Sequence, residues 1–173
     1  YKEGIKYIKI SADNGCIKAM LTYAGILRDG NEVEVDYSES LKYTKMAVDK
    51  GDSEAMYSYG YMFLNGQGVD INIDEAIKYF KMAIAKGNTR AMSSYAFLLY
   101  NGTGVETNKE EAQKYMQMAI DKGDIFSITE YACMLSNSDV TDDDYKKVIE
   151  YYKMAIDKGE TIAMNNYALM LMK

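Results

Sequence analysis

The sequence predicts an all-α fold, a right-handed α-solenoid of antiparallel helix pairs in 36-residue repeats. Three observations predict it: glycines recur every 36 residues, a tyrosine stands eight residues after each glycine, and a small residue follows each tyrosine. The glycines are Gly15, Gly51, Gly87, Gly123 and Gly159, and the tyrosines are Tyr23, Tyr59, Tyr95, Tyr131 and Tyr167. A fixed period of this length is typical of repeat proteins, in which each unit packs against its sequence neighbours.

Each period carries the pattern of two helices. The apolar residues of the second period follow the spacing of one helix face and predict a first helix, helix A, over residues 53 to 65. Gly66 and Gly68 then end this helix, because glycine readily adopts the left-handed backbone that closes helices. Asn72 or Asp74 can cap the second helix, helix B. Since the connections are short, adjacent helices are expected to be antiparallel neighbours.

The register organises the chain as one repeat domain, residues 1–173. A B-type helix of a preceding repeat is predicted over 1–14, and an A helix of an incomplete repeat lies within 159–173. Four full repeats are predicted at about 15–50, 51–86, 87–122 and 123–158. The apolar stripe of helix B is wide, so we expect it to pack against its own A helix and the next one. Neither end carries a polar cap, so we expect further repeats to follow. The apolar residues expected to be exposed at the end are Met164, Tyr167, Met170 and Met172.

Composition and charge exclude several classes of function. With 48% hydrophobic and 27% charged residues, the 173-residue chain is expected to fold, and no apolar run is long enough to insert into a membrane. Its 26 acidic and 20 basic side chains give a net charge of −6, which disfavours nucleic acid as a partner. Histidine, the commonest proton-transfer group and metal ligand, is absent. We therefore expect no enzymatic activity, no metal and no cofactor.

The two cysteines favour a reducing compartment. Cys16 and Cys133 are too few for a disulfide framework or a zinc site, and three repeats separate them, beyond the reach of a disulfide. This usage favours the cytoplasm, although the sequence does not fix the localisation.

Two acidic clusters have a structural explanation. Asp70 to Asp74 resembles the start of a calcium loop, but Glu75 stands where such a loop needs glycine, so helix capping explains it better. The second cluster, Asp139 and 142–144, leaves two interpretations open: a weak divalent-cation site, or the solvated first turn of a helix.

Four motifs recur with the period and together resemble one known family. They are the 36-residue spacing, Ala-x3-Tyr followed by Gly or Ala, the turn Gly-x-Gly-Val at 66–69 and 102–105, and a closing Lys-Tyr-x2-Met-Ala-x3-Gly. They resemble the Sel1-like repeat of the tetratricopeptide-like superfamily over essentially the whole chain. Two turns depart from the pattern, at 30–32 and 138–140, and we expect them to differ in conformation while their hairpins are kept.

The resemblance implies where a partner binds. In related helical arrays the A helices line the concave side, and residues outside the packing set face the groove. Transferred to this sequence, the predicted peptide-binding or protein-binding residues are Glu54, Tyr57, Ser58, Tyr61, Asn65, Arg90, Ser94, Phe97, Asn101, Phe126, Glu130, Asn165 and Asn166. The same transfer places Ser93 and Thr129 in the groove. Aromatic rings supply rigid contact area and asparagine amides can bond a peptide backbone, so an extended peptide is the predicted ligand.

Two functions stay open at this point. The first is a non-catalytic protein–protein interaction scaffold or adaptor, which the resemblance implies. The alternative is a structural spacer that self-associates end to end through exposed terminal helices. For Tyr61, Phe97 and Leu169, packing between adjacent A helices is the alternative to binding.

Overall fold

The computed structural model describes residues 2–30, 33–136 and 142–172, and these contain ten α-helices. The helices are α1 (Lys2–Asp13), α2 (Ile17–Asp29), α3 (Tyr37–Asp49), α4 (Ser53–Asn65), α5 (Ile73–Ala85), α6 (Thr89–Asn101), α7 (Lys109–Asp121), α8 (Ile125–Ser136), α9 (Asp142–Asp157) and α10 (Thr161–Leu171). Even-numbered helices occupy the A positions and odd-numbered helices the B positions. The predicted all-α class of repeated helix pairs is confirmed, and α4 has the predicted bounds.

Helix contacts divide the chain into two units, residues 1–91 and 92–173, with the boundary inside α6. In the first unit α1 packs on α2, α2 on α3, α3 on α4 and α4 on α5. In the second unit α7 packs on α8, α8 on α9, and α10 on both α8 and α9. The helix α3 contacts α2 and α4, and α9 contacts α8 and α10. The prediction that a B helix packs against its own A helix and the following one is therefore confirmed for these two helices.

Polar caps start the B helices at equal intervals. The side chains of Asp36, Asn72 and Asn108 each accept a hydrogen bond from the backbone N–H three residues later, at 2.8 to 3.0 Å. These bonds satisfy amide groups that the first turn leaves unpaired. The cap predicted at Asn72 is confirmed, and it accounts for the sequence that resembles a calcium loop.

The turn after α4 needs its two glycines for different reasons. Gly66 ends α4 in the left-handed conformation at φ +67°, as predicted. Gly68 also has a positive φ, but a Cβ there would lie 2.5 Å from the backbone oxygen of Tyr37 at the start of α3. This glycine therefore permits a close approach between the turn and the preceding repeat. The two turns predicted to differ, at 30–32 and 138–140, lie outside the described residues except for Gly30; their hairpins α2–α3 and α8–α9 are kept.

A repeated pair of tyrosine rings joins the two helices of each hairpin. Four of the five periodic tyrosines of the A helices contact a tyrosine 20 residues later on helix B. The ring-centre distances are 4.8 Å for Tyr23–Tyr43, 4.7 Å for Tyr59–Tyr79, 5.2 Å for Tyr95–Tyr115 and 5.1 Å for Tyr131–Tyr151. These four A-helix tyrosines are buried, so their predicted core role is confirmed. Tyr167 differs: it is half-buried and contacts Tyr152 at 5.9 Å, because no B helix follows α10 among the described residues.

Candidate protein-binding face

The outward face of α4 is built around a fixed arginine. Arg90, in the first turn of α6, donates from Nη1 to Glu54 Oε1 at 2.5 Å. Its guanidinium carbon lies 4.7 Å from the centre of the Tyr57 ring. Asn88 Nδ2 donates to the second Glu54 oxygen at 3.1 Å. An ion pair this exposed adds little stability, but together with the ring it holds the guanidinium in one place.

Tyr57 links this surface to the core. Its ring stacks on Phe80 at 5.9 Å between ring centres, and Phe80 is fully buried. On the other side the ring of Tyr61 lies 6.2 Å away and is 39% exposed. The aromatic surface is therefore anchored, which is what a rigid binding residue needs.

A hollow of about 380 Å³ opens beside these rings in the first unit. Its walls are Arg28, Asp29, Tyr57, Ser58, Tyr61, Gln67 and Arg90. Four of the residues predicted for the groove are therefore among its walls: Tyr57, Ser58, Tyr61 and Arg90. Arg28 and Gln67 were missed, because they lie in the last turn of α2 and in the loop after α4, outside the positions transferred from related arrays.

Two groups in the hollow have unusual bonding. Arg28 Nε donates to Asp29 Oδ1 at 2.8 Å, and this bond raises the pKa of the guanidinium above its ordinary value. Gln67 Oε1 is buried and accepts no hydrogen bond from any described residue. Most buried polar atoms are paired, so this oxygen carries an uncompensated desolvation cost.

Two serine or threonine positions predicted for the groove are wrong. Ser93 and Thr129 stand at the repeat position of Tyr57, but they are only 6% and 2% exposed. Ser93 shares a 2.5 Å hydrogen bond with Ser127 between α6 and α8. Side-chain length explains the difference in exposure. The ring of Tyr57 extends beyond the contact between adjacent helices, whereas the shorter side chains of Ser93 and Thr129 stay within it.

The remaining predicted residues lie on A helices and differ in their solvent exposure. Phe97 and Phe126 are 52% and 51% exposed, and Leu169 is 55% exposed, which favours the surface interpretation over packing between helices. Ser94, Glu130 and Asn166 are half-buried, and Asn165 is exposed. Burial raises the pKa of the Glu130 carboxyl above its ordinary value.

Three of the predicted asparagines form hydrogen bonds within the protein. Asn65 and Asn101 end their A helices, and the Nδ2 of each donates to the carbonyl oxygen four residues earlier, at 2.8 and 2.9 Å. Asn166 Nδ2 donates to Cys133 Sγ at 3.2 Å. Each of these three amides therefore uses one N–H within the protein, and its second N–H and its oxygen are not used in these bonds.

Other chemical features of the sequence lie apart from this face. Cys16 is exposed, and Cys133 is half-buried. Of the second acidic cluster, Asp139 lies outside the described residues, and α9 begins within it at Asp142. In the described ranges no three potential metal ligands of the His, Cys, Asp or Glu type come together. The same ranges hold no helix with the length and apolar character needed to span a bilayer.

Consecutive antiparallel helix hairpins that repeat every 36 residues define a class, the α-helical repeat proteins. Within this class the profile of the Sel1 repeat matches residues 17–52, 53–88, 89–124 and 127–160. The chain belongs to the Sel1 repeat family. Sel1 repeat proteins generally mediate protein–protein interactions, and their fold is typically a non-catalytic scaffold.

Solved structures show the same fold. A Sel1 repeat protein from Oxalobacter formigenes is 27% identical with a TM-score of 0.76, over 86% of this chain and 61% of its own. The protective antigen c5321 of uropathogenic Escherichia coli strains, which displays an SLR fold, is 26% identical with a TM-score of 0.79, over 96% of this chain and 36% of its own. The immunity protein Pa5087 from Pseudomonas aeruginosa is 21% identical with a TM-score of 0.68, over 92% and 59%, and shows the fold alone. This chain thus spans about three fifths and one third of the first two proteins. No curated protein sequence matches it.

Proposed function

We propose that this chain is a non-catalytic interaction scaffold that binds an extended peptide or protein segment on the A-helix face, the side expected to be concave. In the first unit this face consists of Glu54, Tyr57, Ser58, Tyr61 and Asn65. The hollow beside Tyr57 and Tyr61 carries the proposal, because it combines anchored aromatic rings with arginine side chains. Aromatic residues and arginine dominate the binding energy of protein interfaces. The general role of Sel1 repeats supports a protein as the ligand.

Exposed rings at a shared repeat position also support the proposal. Tyr61 and Phe97 are 36 residues apart, and both stand on A helices with 39% and 52% of their surface exposed. Neither ring is needed for the buried core, so each presents apolar area that a partner could cover.

A library of short random peptides displayed on phage tests this function. Peptides selected on the unaltered chain should bind the double variant Tyr61→Ala, Phe97→Ala at least about tenfold more weakly, because the variant lacks the exposed rings. The matched control is Tyr145→Ala, which removes a 44% exposed ring from the B helix α9. Equal affinities for the unaltered chain, the control and the double variant would contradict the proposal. Thermal midpoints within about 2 °C of each other show that all three proteins are folded.

A second function, an end-to-end spacer, is favoured by the two terminal helices. Tyr7 on α1 stands 36 residues before Tyr43, yet it is 63% exposed and Tyr43 is 1% exposed. On α10, Leu171 is 58% exposed, whereas Leu27 at the same repeat position is 5% exposed. The helix α1 is of type B and α10 of type A. A second copy that places its α1 on α10 would therefore complete a hairpin of the kind seen within the chain.

Light scattering on two single-end variants tests this association. The unaltered chain should grow in mass with concentration, because head-to-tail contacts leave both ends open. Tyr7→Glu and Leu171→Glu, which each block one end, should be monomeric alone and form a dimer when mixed. Tyr145→Glu, which replaces a 44% exposed ring on α9, should associate like the unaltered chain. A monomeric mass of the unaltered chain at all concentrations would exclude the spacer.

A further inference from the structure

We infer that the A-helix face of the second unit binds a segment whose lysine or arginine side chain meets the carboxylate of Glu130. This inference rests on the proposed function and specifies the chemistry of the partner, a basic residue beside apolar ones. Three features of this face support it: a carboxylate without a partner, neighbouring A helices without charge, and exposed apolar side chains around the carboxylate.

Glu130 is a half-buried carboxylate in the middle of α8. It forms no hydrogen bond or ion pair with any described residue. Burial raises the pKa of its carboxyl above its ordinary value, and no neighbouring cation offsets this effect. A charge that loses hydration without gaining a partner carries a free-energy cost. Because the side chain is only half-buried, a cation of a ligand can reach it and remove that cost.

The A helices on both sides of α8 carry no charge that could pair with Glu130. The bond between Ser93 and Ser127 places α6 beside α8, and α10 packs on the other side of α8. Residues 92–101 of α6 and the whole of α8 and α10 contain no Asp, Glu, Lys or Arg other than Glu130. Electrostatic complementarity therefore favours a cationic group in the partner.

Exposed apolar side chains surround this carboxylate. Phe126 stands four residues before Glu130, one turn away on the same helix face, and is 51% exposed. Phe97 on α6, and Ile162 and Leu169 on α10, are also more than half exposed. A lysine or arginine side chain has an apolar stem and a charged end, so the stem can cover these residues while the end meets the carboxylate. A small cation would leave the apolar surface uncovered.

Parallel selections from a random peptide library displayed on phage test the inference. The three baits are the unaltered chain, Glu130→Gln and the matched control Glu150→Gln, which removes an exposed carboxylate from the B helix α9. Peptides selected on the unaltered chain and on the control should be enriched in Lys or Arg beside an apolar residue. This enrichment should be lost on Glu130→Gln. Equal enrichment on all three baits would reflect the overall negative charge and would overturn the inference.

The affinity of one selected peptide, with an acetylated N-terminus, measures the contact directly. Glu130→Gln should weaken its binding at least about tenfold, whereas Glu150→Gln should bind it like the unaltered chain. Norleucine in place of the basic residue keeps the apolar stem. It should weaken binding to the unaltered chain to the same degree and should have little further effect on Glu130→Gln, as expected for a direct pair. Phe126→Ala should weaken binding about threefold, because the stem loses its apolar contact.

A thermal midpoint and two ring substitutions separate the outcomes. The midpoint of Glu130→Gln near neutral pH should be equal to or above that of the unaltered chain, because burial disfavours the charge that it removes. The norleucine peptide gives the same comparison without altering the chain. If selected peptides bind Glu130→Gln as well as the unaltered chain but still depend on Tyr61 and Phe97, the inference is wrong and the proposed function stands. If no selected peptide depends on those two rings, both are wrong.

Discussion

Replacing Phe80 with alanine is expected to destabilise the chain by about 3 to 5 kcal/mol, the usual cost of removing a large buried ring. Phe80 is fully buried, and its ring lies 3.0 Å from the position that a Cβ on Gly60 would take, so α4 and α5 leave little room to close the cavity. Urea unfolding measures the effect. The same substitution at Phe97, which is 52% exposed, is the matched control and should cost about 0.5 kcal/mol.

The contrast between the two phenylalanines bears directly on function. If Phe97→Ala cost as much as Phe80→Ala, the ring on α6 would belong to the core. The A-helix face would then lose one of its exposed aromatic residues. A small cost at Phe97 leaves its exposed area available to a partner.

Replacing Gly68 with alanine is expected to destabilise the chain, whereas Gly25→Ala is expected to stabilise it. At Gly68 the left-handed backbone alone costs a non-glycine residue about 1 to 2 kcal/mol, and the new Cβ would clash with the backbone of Tyr37. Gly25 lies inside α2, where an added Cβ meets nothing within 4 Å, so alanine should gain about 0.5 to 1 kcal/mol. Thermal unfolding of both variants measures the two changes in stability: the midpoint should fall for Gly68→Ala and rise for Gly25→Ala.

The outcome that contradicts this account is a Gly68→Ala variant as stable as the unaltered chain. In that case the turn after α4 would not need its close approach to α3, and the second glycine of the turn would have no structural role here. A destabilised Gly25→Ala variant would contradict the claim that an added Cβ at this position meets no neighbouring atom.

The period of the sequence was sufficient to predict most of the fold. Helix A of the second repeat was predicted at its observed bounds, and Tyr59 was predicted to be buried, because packing positions must recur when each repeat meets an equivalent neighbour. The contact of Tyr59 with Tyr79 was not predicted. It depends on how α4 and α5 cross, which spacing along one helix does not reveal.

The site was less predictable than the fold. Tyr57, Ser93 and Thr129 share one repeat position, but side-chain length decides which of them reaches the surface. Gln67 stands in a predicted turn, and the burial of its side-chain oxygen depends on three-dimensional packing that the sequence pattern does not reveal. Repeat position therefore predicts which helix carries a residue, whereas its exposure depends on local packing.

Chemical-shift mapping by NMR with a selected peptide tests the central claim most directly, since it shows where on this chain the ligand lies. The account predicts shifts in the backbone amides around the hollow, at the last turn of α2, along α4 and its following turn, and in the first turn of α6. Shifts confined to the B helices α3, α5 and α7, with α4 unchanged, would contradict it.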